Sequence, residues 1–155
     1  MDKLTIGGGC FWGMEELFRA QSGVTDTRVG YAGGNNDNPT YENHLGHAET
    51  LEVTFDPSVT SRGELLDYFF KIHDPTTKNR QGNDVGTSYR SVIFYENETE
   101  KRAAERSIIR NQTHWEKPIA TSIEPLTQFW SAEEYHQDYL QKNPGGYTCH
   151  YERPW

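Results

Sequence analysis

Two cysteines, Cys10 near the start of this 155-residue chain and Cys149 near its end, are the residues best suited to chemistry. Three glycines precede Cys10, and apolar residues recur at helical spacing from Phe11 onward, which places Cys10 at or just before a helix amino terminus. The unpaired N–H groups and the positive end of the helix dipole at that position favour a nucleophilic thiolate. The alternative is an inert cysteine, because free cysteines are often buried.

Cys149 lies in a Gly-rich segment that begins at Asn143 and has no hydrophobic periodicity. We expect residues 143–155 to form a mobile tail. A disulfide requires Cα atoms within about 7 Å, and a mobile tail is one way to bring a distant thiol to Cys10 repeatedly. The alternative is a terminal thiol with no function.

Glu49 follows Gly46-His47-Ala48 at the junction of a long loop with a predicted strand. A carboxyl group buried at such a junction tends to stay protonated and can then donate a proton. A solvated glutamate at the end of a strand is the simpler alternative. Phe11 and Trp12 follow Cys10 and either pack in the core or form an apolar pocket for a group such as a methyl.

Three polar residues of the long loops could surround a polar substrate beside these groups. Tyr41 lies in the loop at residues 32–47, and Asp84 and Tyr89 lie in the loop at residues 76–88 or directly after it. Long loops in compact domains are often functional, although loops of this composition often serve only as connections.

The sequence offers no support for a cofactor or a metal. His44 and His47 are three residues apart, but the two cysteines form no CxxC pair, so a zinc site is not predicted. No GxGxxG or GxxxxGK[ST] motif is present, which argues against nicotinamide, flavin and P-loop nucleotide sites. The net charge of −8 argues against nucleic acid and anionic membranes as partners.

The chain is predicted to form a single domain over residues 1–155. Its amino terminus runs straight into a strand-like segment without an export signal, so we expect a cytoplasmic protein. We also expect a monomer. The order strand, helix, strand, strand, helix, strand predicts a two-layer α/β (α+β) sandwich with a ferredoxin-like split βαβ core and an irregular tail. Strands are predicted at 4–6, 24–31, 49–55, 90–95 and 119–123, and helices at 11 to about 23, 61 to about 73, 97 to about 115 and 131 to about 141.

The chain contains four motifs in the order Gly9-Cys10-Phe11-Trp12-Gly13, Gly46-His47-Ala48-Glu49, Gln81-Gly82-Asn83-Asp84 with Tyr89-Arg90-Ser91, and Gly145-Gly146-Tyr147 leading to Cys149. Together these motifs resemble the methionine sulfoxide reductase A family, the A-type peptide-methionine sulfoxide reductases. The resemblance covers nearly the entire chain. A second recycling cysteine of some members is missing, and the segment between Tyr41 and Gly46 is shorter than in many.

The resemblance implies an enzyme that reduces the S epimer of methionine sulfoxide, free and in proteins, with thioredoxin as the reductant. Cys10 would be the nucleophile and Glu49 the proton donor, and Cys149 would resolve the sulfenic acid of Cys10 as a disulfide. The implied substrate-binding residues are Phe11 and Trp12 at the methyl group and Tyr41, Asp84 and Tyr89 at the sulfoxide oxygen.

Two other functions are compatible with the same residues. A thiol peroxidase would use the same pair of cysteines to reduce hydroperoxides. A non-catalytic module would use Cys10 and the aromatic residues only to recognise methionine or a metal.

Overall fold

A six-stranded sheet forms the centre of the protein in the computed structural model, which describes all residues from 1 to 155. The strands of this sheet are β1 (Asp2–Gly8), β2 (Val24–Ala32), β3 (Ala48–Phe55), β6 (Ser91–Tyr95), β7 (Ser122–Pro125) and β8 (Trp130–Ser131). Their order across the sheet is β7-β6-β1-β3-β2-β8. A separate two-stranded hairpin consists of β4 (Arg80–Gln81) and β5 (Asp84–Val85).

The four inner strands have the ferredoxin-like arrangement that the sequence predicts. Strand β3 lies between β1 and β2 and is antiparallel to both, so β1 and β2 form a split βαβ unit with α1 (Phe11–Arg19) as the crossover. Helix α2 (Arg62–Ile72) then leads through the hairpin to β6, which is antiparallel to β1. Strands β7 and β8 extend the two edges.

Side chains that face the helices alternate along each strand, as expected of a sheet with one covered face. Leu51, Val53 and Phe55 of β3 are buried on that side together with Leu4 and Ile6 of β1. Phe11, Met14 and Phe18 of α1 and Phe69 and Phe70 of α2 complete this core. A smaller cluster of Ala32, Ala48, Val92 and Phe94 fills the opposite face.

Two helices begin at the capping residues that the sequence predicts. The Ser61 hydroxyl accepts the backbone N–H of Glu64 at the start of α2. The Asn97 side chain accepts the N–H of Glu100 at the start of α3 (Glu98–Asn111), and the Glu100 carboxylate accepts the N–H of Glu96 in return. Each cap satisfies a backbone donor that the helix itself leaves unpaired.

The predicted helix from Ser131 to about Gln141 is wrong. Ser131 belongs to β8, and only a 3-10 turn (Glu134–His136) and the short α4 (Tyr139–Lys142) are helical. The side chain of Gln137 pairs with both backbone groups of Val29 at 2.9 Å, so it continues the edge of the sheet beyond β8. Asp138 has a left-handed backbone with φ of 54°, which a continuous helix cannot contain.

Other element boundaries differ by a few residues from the predicted ones. Helix α1 ends at Arg19 rather than near Gly23, and α3 is followed by a 3-10 turn (Gln112–His114). Strand β7 begins at Ser122 because Ile119 and Ala120 donate their N–H groups to Gln112 and Pro75 instead of to β6. None of the helices combines the length and the apolar character needed to cross a membrane.

The cap of α2 gives a testable contribution to stability. We expect Ser61→Ala to lower the free energy of unfolding by about 1 kcal/mol, because the N–H of Glu64 loses its acceptor. Urea denaturation of the two proteins measures the difference. Ser61→Asp is the matched control, since aspartate also caps helices, and an equal loss in both variants would contradict the role of the cap.

Candidate active site

Cys10 lies in the short turn between β1 and α1, at the amino-terminal end of the helix as the sequence predicts. Gly9 before it has φ of 96°, a left-handed conformation that glycine adopts without strain. Cys10 as a whole residue is 8% exposed, so it is buried apart from a small part of its surface.

Glu49 faces the helix side of the sheet because it shares the alternation of Leu51 and Val53 along β3. It is 1% exposed, and its Oε1 accepts the backbone N–H of Phe11 at 3.1 Å. Burial raises the pKa of Glu49 to about 8, with a smaller contribution from the negative charge of Asp84, while the bond from Phe11 lowers it. The predicted protonated carboxyl group is thus what the local electrostatics favour at neutral pH.

The expectation of an ionised Cys10 in the resting site is wrong. Burial raises the pKa of the Cys10 thiol well above its usual range, and the negative charge of Glu49 raises it further. A hydrogen bond from the backbone N–H of Trp12 lowers the pKa of Cys10 but is too weak to compensate. The helix amino terminus therefore does not offset the loss of water around the sulfur, and the resting site holds a neutral thiol beside a neutral acid.

Phe11 and Trp12, the two aromatic residues after Cys10, have different environments. Phe11 is fully buried in the main core, where its ring lies 5.8 Å from that of Tyr31. Trp12 is half-buried, and its indole stacks on Tyr139 with ring centroids 3.8 Å apart. The indole N–H donates to Nδ1 of His136 at 3.0 Å. Trp12 is thus held rigidly as a wall next to Cys10.

The loop residues that the sequence singles out converge on Glu49. The negative charge of Glu49 contributes to raising the pKa of Tyr41 and of Tyr89, after the larger effect of burial, so both phenols are near the carboxyl group and stay protonated. Asp84 raises the pKa of Cys10, Glu49 and both tyrosines. Its carboxylate accepts the hydroxyl of Tyr147 at 3.2 Å. The three residues therefore lie around one polar centre.

Cys149 is a free, half-buried thiol that lies against the β4–β5 hairpin. A Cβ atom on Gly82 would lie 3.3 Å from Cβ of Cys149 and 3.6 Å from its Sγ. Burial raises the pKa of Cys149, and the charge of Cys149 in turn contributes to raising the pKa of Cys10. The two thiols are thus unbonded, and Cys149 is close enough to affect the pKa of Cys10.

Two residues of the site, Glu133 and His136, are not predicted from the sequence. Both lie in the segment for which the sequence predicts a helix. Glu133 accepts the hydroxyl of Tyr31 at 2.8 Å and the backbone N–H of Tyr41 at 3.0 Å. It therefore connects the end of β2 to the loop that carries Tyr41. His136 is buried behind Trp12, and its Nε2 has no hydrogen-bond partner in the protein. No sequence signal marks either residue, since their roles depend on contacts with distant strands.

Comparison with known proteins agrees with this arrangement. Residues 2–154 match the protein family described as "Peptide methionine sulfoxide reductase". A protein of Mycobacterium sp. (strain JLS), named "Peptide methionine sulfoxide reductase MsrA", is 56% identical over 98% of this chain and 90% of its own length. The structure of Mxr1 from Saccharomyces cerevisiae in reduced form has a TM-score of 0.93 at 41% identity and covers 99% of this chain and 92% of its own. The same yeast protein in complex with Trx2 has a TM-score of 0.70 at 30% identity, over 99% and 90% of the two chains.

A thiol beside a neutral carboxyl group, on a ferredoxin-like α/β scaffold, defines the class of protein as a thiol-dependent oxidoreductase. The chain belongs to the peptide methionine sulfoxide reductase family, whose members reduce methionine sulfoxide. The predicted family, fold and enzyme class are therefore confirmed.

The burial of Glu49 makes the stability of the protein depend on pH. Because the folded-state pKa of Glu49 is raised, its favourable contribution is fully present below the unfolded value near 4.5 and is lost as the pH rises through about 8. We expect the wild type to lose stability relative to Glu49→Gln between pH 5 and pH 8, by at most about 1.4 kcal/mol per pH unit. Urea denaturation at several pH values measures this slope.

The control for the loss of one carboxyl group is Glu105→Gln, an exposed substitution in α3. If the wild type and Glu49→Gln lost stability in parallel over this range, Glu49 would not be a buried, neutral acid.

Proposed function

We propose that Cys10 is the nucleophile that reduces methionine sulfoxide and that Glu49 is the acid that protonates its oxygen. The observation that carries this proposal is the buried, hydrogen-bonded Glu49, which keeps its proton near neutral pH next to the thiol of Cys10. A sulfoxide oxygen leaves its sulfur poorly unless it is protonated, so the reaction requires both groups together.

The first step transfers the oxygen atom to Cys10. The Cys10 sulfur donates an electron pair to the sulfoxide sulfur while Glu49 gives its proton to the oxygen, and the thiol proton passes to the carboxylate that Glu49 becomes. The hydroxyl oxygen then leaves the substrate sulfur and forms a bond to the Cys10 sulfur. At the same time the bond between the two sulfur atoms breaks with its electron pair left on methionine. Methionine leaves, and Cys10 holds the oxygen as a sulfenic acid. Because both groups are buried and neutral at rest, coupled proton movement avoids an isolated buried charge.

The residues around Glu49 have distinct parts in this step. We assign the hydroxyls of Tyr41 and Tyr89 to the sulfoxide oxygen, because burial keeps both protonated and able to donate. We assign Asp84 an indirect action on the oxygen, through the charge with which it helps to raise the pKa of Glu49. The sequence resemblance implies that Asp84 positions the oxygen directly, and we propose the indirect role in its place.

The aromatic wall is assigned to the methyl group of the substrate. The rigidly stacked Trp12 and the buried Phe11 hold the methyl on one side while Glu49 fixes the oxygen, and this arrangement distinguishes the two epimers at sulfur. We assign the S epimer, in agreement with the family resemblance. The indole N–H fixes Nδ1 of His136 as an acceptor, so Nε2 of the neutral ring carries the hydrogen and keeps the ring from accepting a second bond there.

Cys149 completes the cycle. Its thiol attacks the sulfenic sulfur of Cys10, a Cys10–Cys149 disulfide forms, and the oxygen leaves as water. An external dithiol then reduces the disulfide, and we propose thioredoxin for this step, supported by the structure of the yeast relative in complex with Trx2. We further propose that the enzyme acts as a monomer in the cytoplasm to repair oxidised proteins, since the cytoplasm supplies the dithiols that the cycle needs.

Replacement of each cysteine separates the two thiol roles. Cys10→Ser is expected to release no methionine, because the nucleophile is lost. Cys149→Ser is expected to release about one methionine per enzyme in a single turnover and then to stall with thioredoxin. Quantifying methionine and free thiols after a stoichiometric amount of each epimer of a methionine sulfoxide peptide tests both expectations.

The same experiment separates the alternative functions. A binding module loses no thiol, whereas the reductase loses two. Faster turnover of hydrogen peroxide than of the S epimer would favour a peroxidase. Normal cycling of Cys149→Ser with thioredoxin would assign the resolving role to another group.

The protonation state of Glu49 predicts the pH dependence of the chemical step. The rate of methionine release in a single turnover is expected to fall as the pH rises through about 8, because Glu49 loses the proton that it donates. Glu49→Gln is expected to slow this step by about 10²- to 10⁴-fold and to remove the fall. Asp84→Asn is expected to move the fall to lower pH, because the charge that helps to raise the pKa of Glu49 is lost. A pH profile of Glu49→Gln parallel to that of the wild type would assign the proton to another group.

A further inference from the structure

His150, directly after Cys149, is a buried residue that the reaction as described above does not use. Its ring is 7% exposed, and Nε2 donates to the backbone carbonyl of Gly8 at 2.6 Å. Because a carbonyl oxygen can only accept, the proton is on Nε2, and Nδ1 is a bare acceptor that has no partner in the protein. Burial lowers the pKa of His150 to about 4, so the ring stays neutral at physiological pH.

The ring of His150 packs directly on the segment that carries Cys10. A Cβ atom on Gly13, in the first turn of α1, would lie 2.4 Å from Nδ1 of His150 and 2.4 Å from Oγ1 of Thr148. A Cβ atom on Gly9 would lie 3.4 Å from Nε2 of His150. Glycine at these positions on either side of Cys10 therefore leaves room for the chain around Cys149.

Residues after His150 are also fixed to the body of the protein. The backbone N–H of Arg153 donates to the carbonyl of Lys71 at the end of α2, and the guanidinium group lies 5.2 Å from the ring of Trp115. The ring of Trp155 stacks on His114 with centroids 4.7 Å apart. The segment 150–155 is thus anchored, although it has no regular secondary structure.

Residues before Cys149 are held less firmly. Residues 143–147 are exposed apart from a half-buried Gly146, and their one hydrogen bond to a residue outside 139–150 is that of the Tyr147 hydroxyl to Asp84. Cys149 therefore lies at the junction between a loosely held loop and an anchored chain end. A disulfide with Cys10 requires the chain to move at this junction without releasing the end.

We propose that His150 is a positioning residue for disulfide formation. Its ring clamps the chain between the carbonyl of Gly8 and the surface of Gly13 and keeps Cys149 within reach of the Cys10 sulfenic acid. Residues 143–148 move when the disulfide forms, while residues 150–155 stay docked. This inference rests on the proposed function. It differs from the expected mobile tail over residues 143–155, because only a loop that is held at both ends moves.

Single-turnover kinetics of His150 variants test the clamp. Methionine release in the proposed mechanism does not involve His150, so His150→Ala should release its first methionine at a rate within about twofold of the wild type. Disulfide formation, followed as loss of the second thiol, should slow by about ten- to a hundredfold, because the attacking sulfur is no longer held in position. Turnover with thioredoxin should fall accordingly, whereas dithiothreitol, which can reduce the sulfenic acid directly, should support faster turnover.

Matched variants separate a clamp from a general loss of structure. His150→Gln retains an N–H donor for the carbonyl of Gly8 and should recover part of the disulfide rate. Gly13→Ala obstructs the ring from the other side and should reproduce the selective defect of His150→Ala even if that variant folds poorly. Tyr151→Ala changes an exposed neighbour and should form the disulfide at the wild-type rate.

Two outcomes would overturn the clamp. One is a wild-type rate of disulfide formation in both His150→Ala and Gly13→Ala. The other is an equal loss of methionine release and disulfide formation, without recovery in His150→Gln, which would indicate a purely structural residue. A failure of the proposed function is distinct from both, because the wild type itself would then release no methionine.

Discussion

Burial of a carboxyl group beside a thiol is the constraint on which the rest of the site depends. Glu49 and Cys10 are both removed from water, and for each of them burial is the largest cause of a raised pKa. Each group would increase the cost of ionising the other, so the resting site stays neutral. A sulfoxide changes this balance because its S–O bond is strongly polar.

The fold supplies this constraint through the first backbone amide of α1. Phe11 is the first residue of the helix, and its N–H group has no partner within the helix. That donor binds Glu49, which β3 brings to the same side of the sheet as the helix. The helix terminus therefore holds the acid in place as well as lying next to the thiol. The alignment of β1 with β3, which pairs Ile6 with Leu51, sets the distance between the two reactive groups.

Local patterns in the sequence were sufficient for the elements that are defined by nearby residues. The caps at Ser61 and Asn97, the alternation of β3 and the position of Cys10 before α1 all follow from spacing over a few residues. The ionisation of Cys10 could not be predicted in this way, because it depends on how far the folded chain excludes water. The segment that contains Gln137 has a helical pattern. It is not a continuous helix, because the Gln137 side chain pairs with a strand more than 100 residues away in the sequence.

The glycines around Cys10 have both conformational and packing reasons for their presence. Gly9 has the positive φ that the turn before Cys10 requires, and a Cβ atom there would also lie 2.6 Å from Cγ of Gln81. Gly13 lies in a regular helix, where glycine is less stable than alanine, and its conformation offers no reason for its presence. The reason is the contact that it makes with Thr148 and His150. The segment that holds Cys10 is therefore shaped in part by the approach of the carboxyl-terminal chain, and the two cysteine segments constrain each other's sequence.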